Sequence, residues 1–372
     1  MSMMSTRASS PSARRARASR NRSMTTRAIE RVDARTYARR VASRILERND
    51  EASSVIMPGA VYDGTLAVVT RVRDVRSCVV SMHDRGFHRG AAVFDAATIV
   101  DGRAHLVESH LERLRRNARA CDVRGRGLDA RALSEIVRET IEVSEVSFGQ
   151  VRVYATSGSG GVDFSLRDDD DGGAADVFAI AYAKTPPRRV EEVVEEGLSA
   201  FVSDVPIKKP RFATVKSVNY LNNVLLAGDA RRRGVDVGVF ATEDGGVGEA
   251  PGANLAFLTA DGTLVTPSRE DVLAGITIAR VKELVEKREN AAALAAVGVR
   301  RFDDDARVSP DVPLAARECM LVGSAVNVRG ITSWNGTVVG DGRVGPATKL
   351  LARLLSRDML AGTPRLERPM VF

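Results

Sequence analysis

Cysteine is scarce in this chain of 372 residues: Cys78, Cys121 and Cys319 stand far apart, with no CxxC pair and no metal-ligand spacing. That excludes a disulfide scaffold and a cysteine-built metal centre, and the sequence offers no other metal site. An odd, sparse set fits reduced thiols packed as small core hydrophobes. Long apolar runs are missing too. None approaches the roughly 18–20 residues that span a bilayer, so a transmembrane helix is not expected. Aromatic residues are only 5% of the chain, with a single tryptophan, and no internal repeat is visible.

Acidic residues are absent from the first 29 positions, and lysine from the first 48. Residues 1–48 hold thirteen arginines against Glu30, Asp33 and Glu47, a net charge of +10 in a chain whose total is +7. The rest is therefore −3. The basic excess sits in the leader, so the body has no charge argument for nucleic acid. A Ser-, Ala- and Arg-rich, acid-poor leader reads as an organelle transit peptide. Residues 1–50 are assigned to it, with plastid as the expected address and mitochondrion second.

What remains is long enough for two domains. Residues 52–84 read as short strands, with turns at Pro58-Gly59 and Tyr62-Asp63-Gly64. Ala96–Val100 and Ala104–Val107 form a hairpin across Asp101-Gly102. Ser109 with Glu112 reads as a capping box opening a helix, and residues 128–143 are a second helix. Residues 151–155 and 177–182 are paired strands. The acidic run Asp168–Asp171 between them lacks EF-hand spacing and reads as a solvated loop. The proline-rich stretch 184–189 is the domain boundary, giving domains 51–185 and 186–372. Further on come a strand at 199–203, a helix over 221–233, and a hairpin from Val235 that delivers Glu249. Strands follow on either side of Asp261-Gly262, then a helix over 276–288 headed by Gly275.

One stretch carries chemistry. Lys216 sits among small and apolar residues in Thr214-Val215-Lys216-Ser217-Val218-Asn219-Tyr220, whereas Lys208 and Lys209, beside a proline, read as an exposed loop pair. A semi-buried lysine can be a neutral amine, as Schiff-base formation requires. Glu249, in Gly248-Glu249-Ala250-Pro251-Gly252, can hold a protonated pyridine nitrogen. The turns Gly275-Ile276-Thr277 and Gly323-Ser324-Ala325 can offer N–H and O–H donors to a phosphate.

These blocks, with Asp84-Arg85-Gly86-Phe87-His88-Arg89-Gly90, His110-Leu111-Glu112-Arg113-Leu114 and Gly345-Pro346-Ala347-Thr348-Lys349, resemble the class IV, or fold-type IV, pyridoxal-phosphate enzymes over about 79–355. That family includes D-amino-acid aminotransferases, branched-chain aminotransferases and aminodeoxychorismate lyases. The wording around Lys216 is most similar to the plastid D-amino-acid branch. The resemblance implies an α+β, two-domain fold and a homodimer. It implies pyridoxal 5'-phosphate as cofactor, with amino acids and 2-oxo acids as substrates. It makes Lys216 the catalytic lysine and places Arg113, Ile276, Thr277, Ser324 and Ala325 at the phosphate, Glu249 at the ring nitrogen and Tyr220 near the cofactor's phenolic oxygen.

The substrate signatures of two branches are not intact. The Arg-x-His of bacterial D-amino-acid enzymes is missing, and Val162 in Gly160-Gly161-Val162 stands where the lyases carry arginine. Arg152 and Arg89 remain to bind a substrate carboxylate, and His83 and His88 are candidates for the entrance. The expected reaction is transamination of a D-amino acid. The alternatives are a branched-chain L-amino-acid aminotransferase, an aminodeoxychorismate lyase, and a non-enzymatic descendant of the fold.

Overall fold

The computed structural model describes residues 80–160, 164, 175–184 and 195–361, the side chains of Arg126 and Val143 apart, together with the backbone of 56–57, 60–63 and 68–71. The Arg-rich leader, the Asp168–Asp171 run and residues 185–189 of the expected boundary lie outside these residues.

The first sheet has seven strands: β1 (Ile56–Met57), β2 (Ala60–Asp63), β3 (Val68–Arg71), β4 (Ala92–Val100), β5 (Arg103–Ala104), β6 (Phe148–Thr156) and β7 (Asp176–Ala183). Their order is β3-β2-β7-β6-β4-β5, with β1 beside β7, and every pairing is antiparallel. Of the expected turn Tyr62-Asp63-Gly64, Tyr62 and Asp63 pair within the sheet instead, and Gly64 lies outside the described residues. At the β4–β5 turn Asp101 and Gly102 both have positive φ, 52° and 69°, the geometry of a hairpin whose twist matches its strands. Short helix α1 (Arg85–His88) precedes β4. Helices α2 (Val107–Ala120) and α3 (Ala130–Ser144) join β5 to β6.

Helix α2 starts two residues before the expected Ser109 cap. Leu106 takes a left-handed conformation, φ 51°, and makes no side-chain cap. Packing decides the start. Beginning at Val107 lets Val107, Leu111, Leu114 and Ala118 form one apolar stripe, all buried in the core with Ile136 and Val137 of α3 and the inner face of the sheet.

The second sheet has eight strands: β8 (Leu198–Ser203), β9 (Val237–Phe240), β10 (Asn254–Leu258), β11 (Thr263–Pro267), β12 (Arg301–Ala306), β13 (Glu318–Gly323), β14 (Asn327–Trp334) and β15 (Thr337–Val338). The order is β12-β11-β10-β13-β14-β8-β9, with β15 on β14. β11–β12, β14–β8 and β8–β9 are parallel and the other pairings antiparallel. Its helices are α4 (Pro210–Ala213), α5 (Leu221–Arg233), α6 (Ile276–Glu286), α7 (Ala291–Ala296), α8 (Val312–Ala315) and α9 (Pro346–Ala361). Helix α6 stops at Glu286, two residues short of expectation, and a 3-10 turn over Arg288–Asn290 follows.

Both faces of the middle of this sheet are covered. Alternation along β10 sends Ala256 and Leu258 to a core with Ile278, Val281 and Leu284 of α6 and Leu351 and Leu355 of α9. It sends Leu255 and Phe257 to the opposite core with Trp334. A strand buried on both faces reads as continuously apolar, as Leu255-Ala256-Phe257-Leu258 does.

Polar contacts tie the two sheets together. Thr98 Oγ1 donates to Ser324 O at 2.5 Å. His105 Nε2 lies 2.9 Å from Asp358 Oδ2, and Arg280 donates to both oxygens of Asp358.

Candidate active site

The free edge of β4 is used by the lysine segment. Phe94 N–H donates to Lys216 O at 3.0 Å and Val218 N–H to Ala92 O at 3.1 Å, with Val93 bridged to Ser217. The strand-like pairing turns alternate side chains to opposite sides. Lys216 thereby enters a cavity of about 390 Å³ between the two sheets, a volume suited to a small organic ligand.

The walls come from separate parts of the chain. Phe94 and Ala96 of β4, Gln150 and Arg152 of β6, and Arg113 of α2 form one side. Tyr220, Asn223 and Val224 line the approach, and Glu249, Gly275–Thr277 and Gly323–Val326 close the other side. The structure thus brings Lys216, Arg113, Tyr220, Glu249, Ile276, Thr277, Ser324, Ala325 and Arg152 to one cavity. It leaves Arg89 out: that side chain is exposed, donates to His88 O at 2.9 Å and lies over the Phe164 ring. His83 and His88 are likewise off the lining. Lys208 departs from the exposed loop pair that the sequence suggests. It is half-buried, with Nζ 5.1 Å from the Tyr220 ring centre.

Lys216 is 8% exposed. Its Nζ is 3.2 Å from the Tyr220 hydroxyl and 4.8 Å from the Phe94 ring centre. Burial pulls the amine down to about 8 from 10.5, against the pull of Asp95 and Glu249. Burial also pushes the Tyr220 hydroxyl above its ordinary value, so it stays protonated. Glu249 is delivered by the turn after β9: Phe240 N–H donates to Glu249 O at 2.9 Å. Its buried carboxylate accepts only the Leu273 N–H, at 3.2 Å, among the described residues. Burial pushes it up to about 7.

Gly275 caps α6, whose first N–H groups have no carbonyl behind them in the helix. Thr277 Oγ1 sits 3.0 Å from Ser324 Oγ, so two hydroxyls and a helix N-terminus converge on one end of the cavity, an arrangement that favours an anion. A Cβ on Gly275 would come within 1.9 Å of Asn254 Oδ1, whose amide holds Leu273 O at 2.9 Å.

Sequence reasoning missed several groups. Asp95 is buried behind Arg113, and His110 Nδ1 meets it at 2.8 Å. Asn223 Oδ1 and Arg152 Nε are buried without a hydrogen-bond partner among the described residues. A signal for His110 existed: with Arg113 it puts two polar residues one turn apart on a helix face otherwise held by Leu111 and Leu114.

Comparison with known proteins places the chain in a family. The model of the amino-transferase class IV family matches residues 92–334. The chain is 32% identical over 309 residues to the chloroplastic D-amino-acid transaminase of Arabidopsis thaliana, covering 82% of this chain and 78% of that one. It is 27% identical to the branched-chain-amino-acid aminotransferase of Salmonella typhimurium strain LT2, covering 73% and 84%. Among solved structures, the branched-chain amino acid aminotransferase from Escherichia coli superposes at TM-score 0.67. Identity is 22%, covering 85% of this chain and 98% of that one, so this likeness speaks for the fold.

Proposed function

Because the chain belongs to the class IV aminotransferases, which work with pyridoxal 5'-phosphate, we propose that it moves an amino group from a D-amino acid to a 2-oxo acid, with Lys216 as the cofactor's attachment point and proton carrier. The cavity fits the group. A buried amine, a buried carboxylate and an anion-seeking end occupy three different parts of one wall system, as an aldehyde, a ring nitrogen and a phosphate require. The single observation that carries the amino-transfer reading is the burial of Lys216 against that cavity with its amine lowered to about 8.

When bound, the cofactor takes up the electron pair released as the substrate's Cα–H bond breaks. The protein's own groups do the rest. Lys216 Nζ, partly neutral near pH 8, would accept the Cα proton and deliver it to C4′, the cofactor carbon that bears the transferred nitrogen. The Tyr220 hydroxyl, 3.2 Å away, steadies the amine in that position. Glu249 keeps the ring nitrogen protonated. Thr277, Ser324 and the N–H groups of Ile276 and Ala325, with Arg113, hold the phosphate. Arg152, whose Nε has no partner among the described residues, binds the substrate carboxylate.

The preference for D-amino acids rests on the likeness to the Arabidopsis thaliana transaminase. The purified enzyme should be offered D-alanine, D-methionine, D-aspartate, L-leucine and aminodeoxychorismate in turn. Faster oxo-acid formation from the D-amino acids is expected. Faster turnover of L-leucine, or release of aminobenzoate, would replace the reading. Lys216→Ala should abolish turnover, and borohydride should no longer fix the cofactor to the chain.

The proposal includes a homodimer. Leu221 and Val224 of α5 are 67% and 64% exposed, and Val224 also lines the cavity approach, so an apolar face at the mouth is suited to a second copy. Sedimentation would show a monomer if this is wrong. It also includes a plastid address through residues 1–50, supported by the chloroplastic relative. A fluorescent fusion of residues 1–60 that stays in the cytosol would remove it.

A further inference from the structure

Arg113 does not approach the cavity as a free cation. Its Nε donates to Asp95 Oδ2 at 2.8 Å and its NH2 to Asp95 Oδ1 at 2.7 Å, a side-on, two-bond pair. Its NH1 donates to Ala274 O at 2.9 Å. A guanidinium has five N–H donors, so these contacts leave two, on a side chain that lines the cavity. Asp95 is fixed in turn. Oδ1 also accepts from His110 Nδ1 at 2.8 Å and from the Ala96 N–H at 2.8 Å, and the residue is 1% exposed.

We infer that Asp95, braced by His110, is the positioning residue that locks the Arg113 guanidinium in the plane where its two remaining N–H donors meet the cofactor's phosphate. The inference rests on the proposed phosphate role of Arg113 and goes beyond it. Two effects of Asp95 oppose each other. Its negative charge repels a phosphate, while its two bonds to Arg113 remove the rotamer freedom that a long arginine otherwise loses on binding. The geometry points to orientation as the larger effect, because three separate contacts converge on one guanidinium whose other end anchors Ala274, two residues before α6. The ionic state of Asp95 is secure. Burial would push its carboxyl up, but the Arg113 guanidinium and His110 beside it hold it well below the usual carboxylate range.

The test uses apoprotein of full length titrated with pyridoxal phosphate and, separately, with pyridoxal, which lacks the phosphate. Asp95→Asn keeps the shape and removes the charge. It is expected to weaken pyridoxal phosphate by about tenfold or more, the scale of one lost charge-assisted contact, and to leave pyridoxal unchanged. His110→Asn, which keeps an N–H toward Asp95, should bind pyridoxal phosphate close to wild type, and His110→Leu more weakly. Tighter or unchanged pyridoxal phosphate binding by Asp95→Asn, or equal losses for both ligands, overturns the inference.

Leaving Arg113 buried without its partner can unfold the single variant, so the pair Arg113→Met and Asp95→Asn/Arg113→Met supplies a second route. With both charges removed, the double variant should bind no more weakly than Arg113→Met alone, because Asp95 helps only through the arginine and its bare charge repels the phosphate. A further loss in the double variant overturns the inference. If Arg113→Met still prefers pyridoxal phosphate over pyridoxal as the wild type does, the phosphate role of Arg113 itself is at fault.

Discussion

Glu249 and Lys216 are each charged at a cost, and the two costs appear in different pH ranges. Burial raises the Glu249 carboxyl to about 7 in the folded protein from an ordinary 4.5. Between those values the folded apoprotein holds a proton that the unfolded chain has released, so stability falls as pH rises through this window. Lys216 runs the other way. Its folded value of about 8 lies below 10.5, so its cost is absent above about 10.5 and grows as pH falls toward about 8. Glu249→Gln should therefore stabilise the apoprotein at pH 8.5 by up to about 3 kcal/mol and leave it little changed near pH 4.5. Denaturant melts at both pH values check this, and an equal effect at both would mean the carboxylate bears no burial cost. In the loaded enzyme the same substitution should slow removal of the Cα proton in single-turnover experiments. Of the candidate site, Lys216 was legible by itself, as one lysine in a small, apolar segment, whereas Glu249, Arg113 and the phosphate turns were legible only together, through the order and spacing of their blocks. Asp95 was not, because a carboxylate on a strand looks solvated until the fold brings α2 across it.

At the scale of elements, α6 shows how a helix start can be placed by its neighbours. Gly275 has φ −73°, open to any residue, yet a Cβ there would strike Asn254 Oδ1. Gly275→Ala should push Asn254 from Leu273 O and shift the Ile276–Thr277 end of the cavity. Overpacking of this kind costs about 1–3 kcal/mol. The expected result is a lower melting temperature and weaker pyridoxal phosphate binding; an unaltered titration would mean the N-terminus of α6 does not hold the phosphate. The span of α5 and the hairpin at Asp101-Gly102 were readable locally, the hairpin from its turn chemistry. The start of α2 at Val107, the placement of Lys208 against Tyr220 and the strand order of both sheets were not. They depend on contacts between residues far apart in sequence, which a local pattern does not encode.

For the whole molecule, the seam between the sheets sets how firmly the site is held, because the cavity takes its walls from both sides. Asp358 of α9 is one of the groups that meet at this seam. It accepts two bonds from Arg280 of α6 and faces His105, just ahead of α2. Burial would raise its carboxyl, but Arg280 and His105 beside it lower it overall. Removing one partner of a fully buried pair costs about 3–5 kcal/mol, and the partial exposure of Arg280, 22%, reduces that. Asp358→Ala should therefore destabilise the apoprotein by about 2–3 kcal/mol. Ligand should recover part of the loss, since anything bound only to the folded state adds stability with its concentration, about 2.7 kcal/mol at a hundredfold excess over Kd. Melts of wild type and Asp358→Ala with and without pyridoxal phosphate test the argument. If the substitution lowers stability but leaves the cofactor's Kd untouched, the seam supports the fold without shaping the site. If Kd also weakens while Lys216 and Glu249 are intact, the alignment of the two walls is itself part of the binding site.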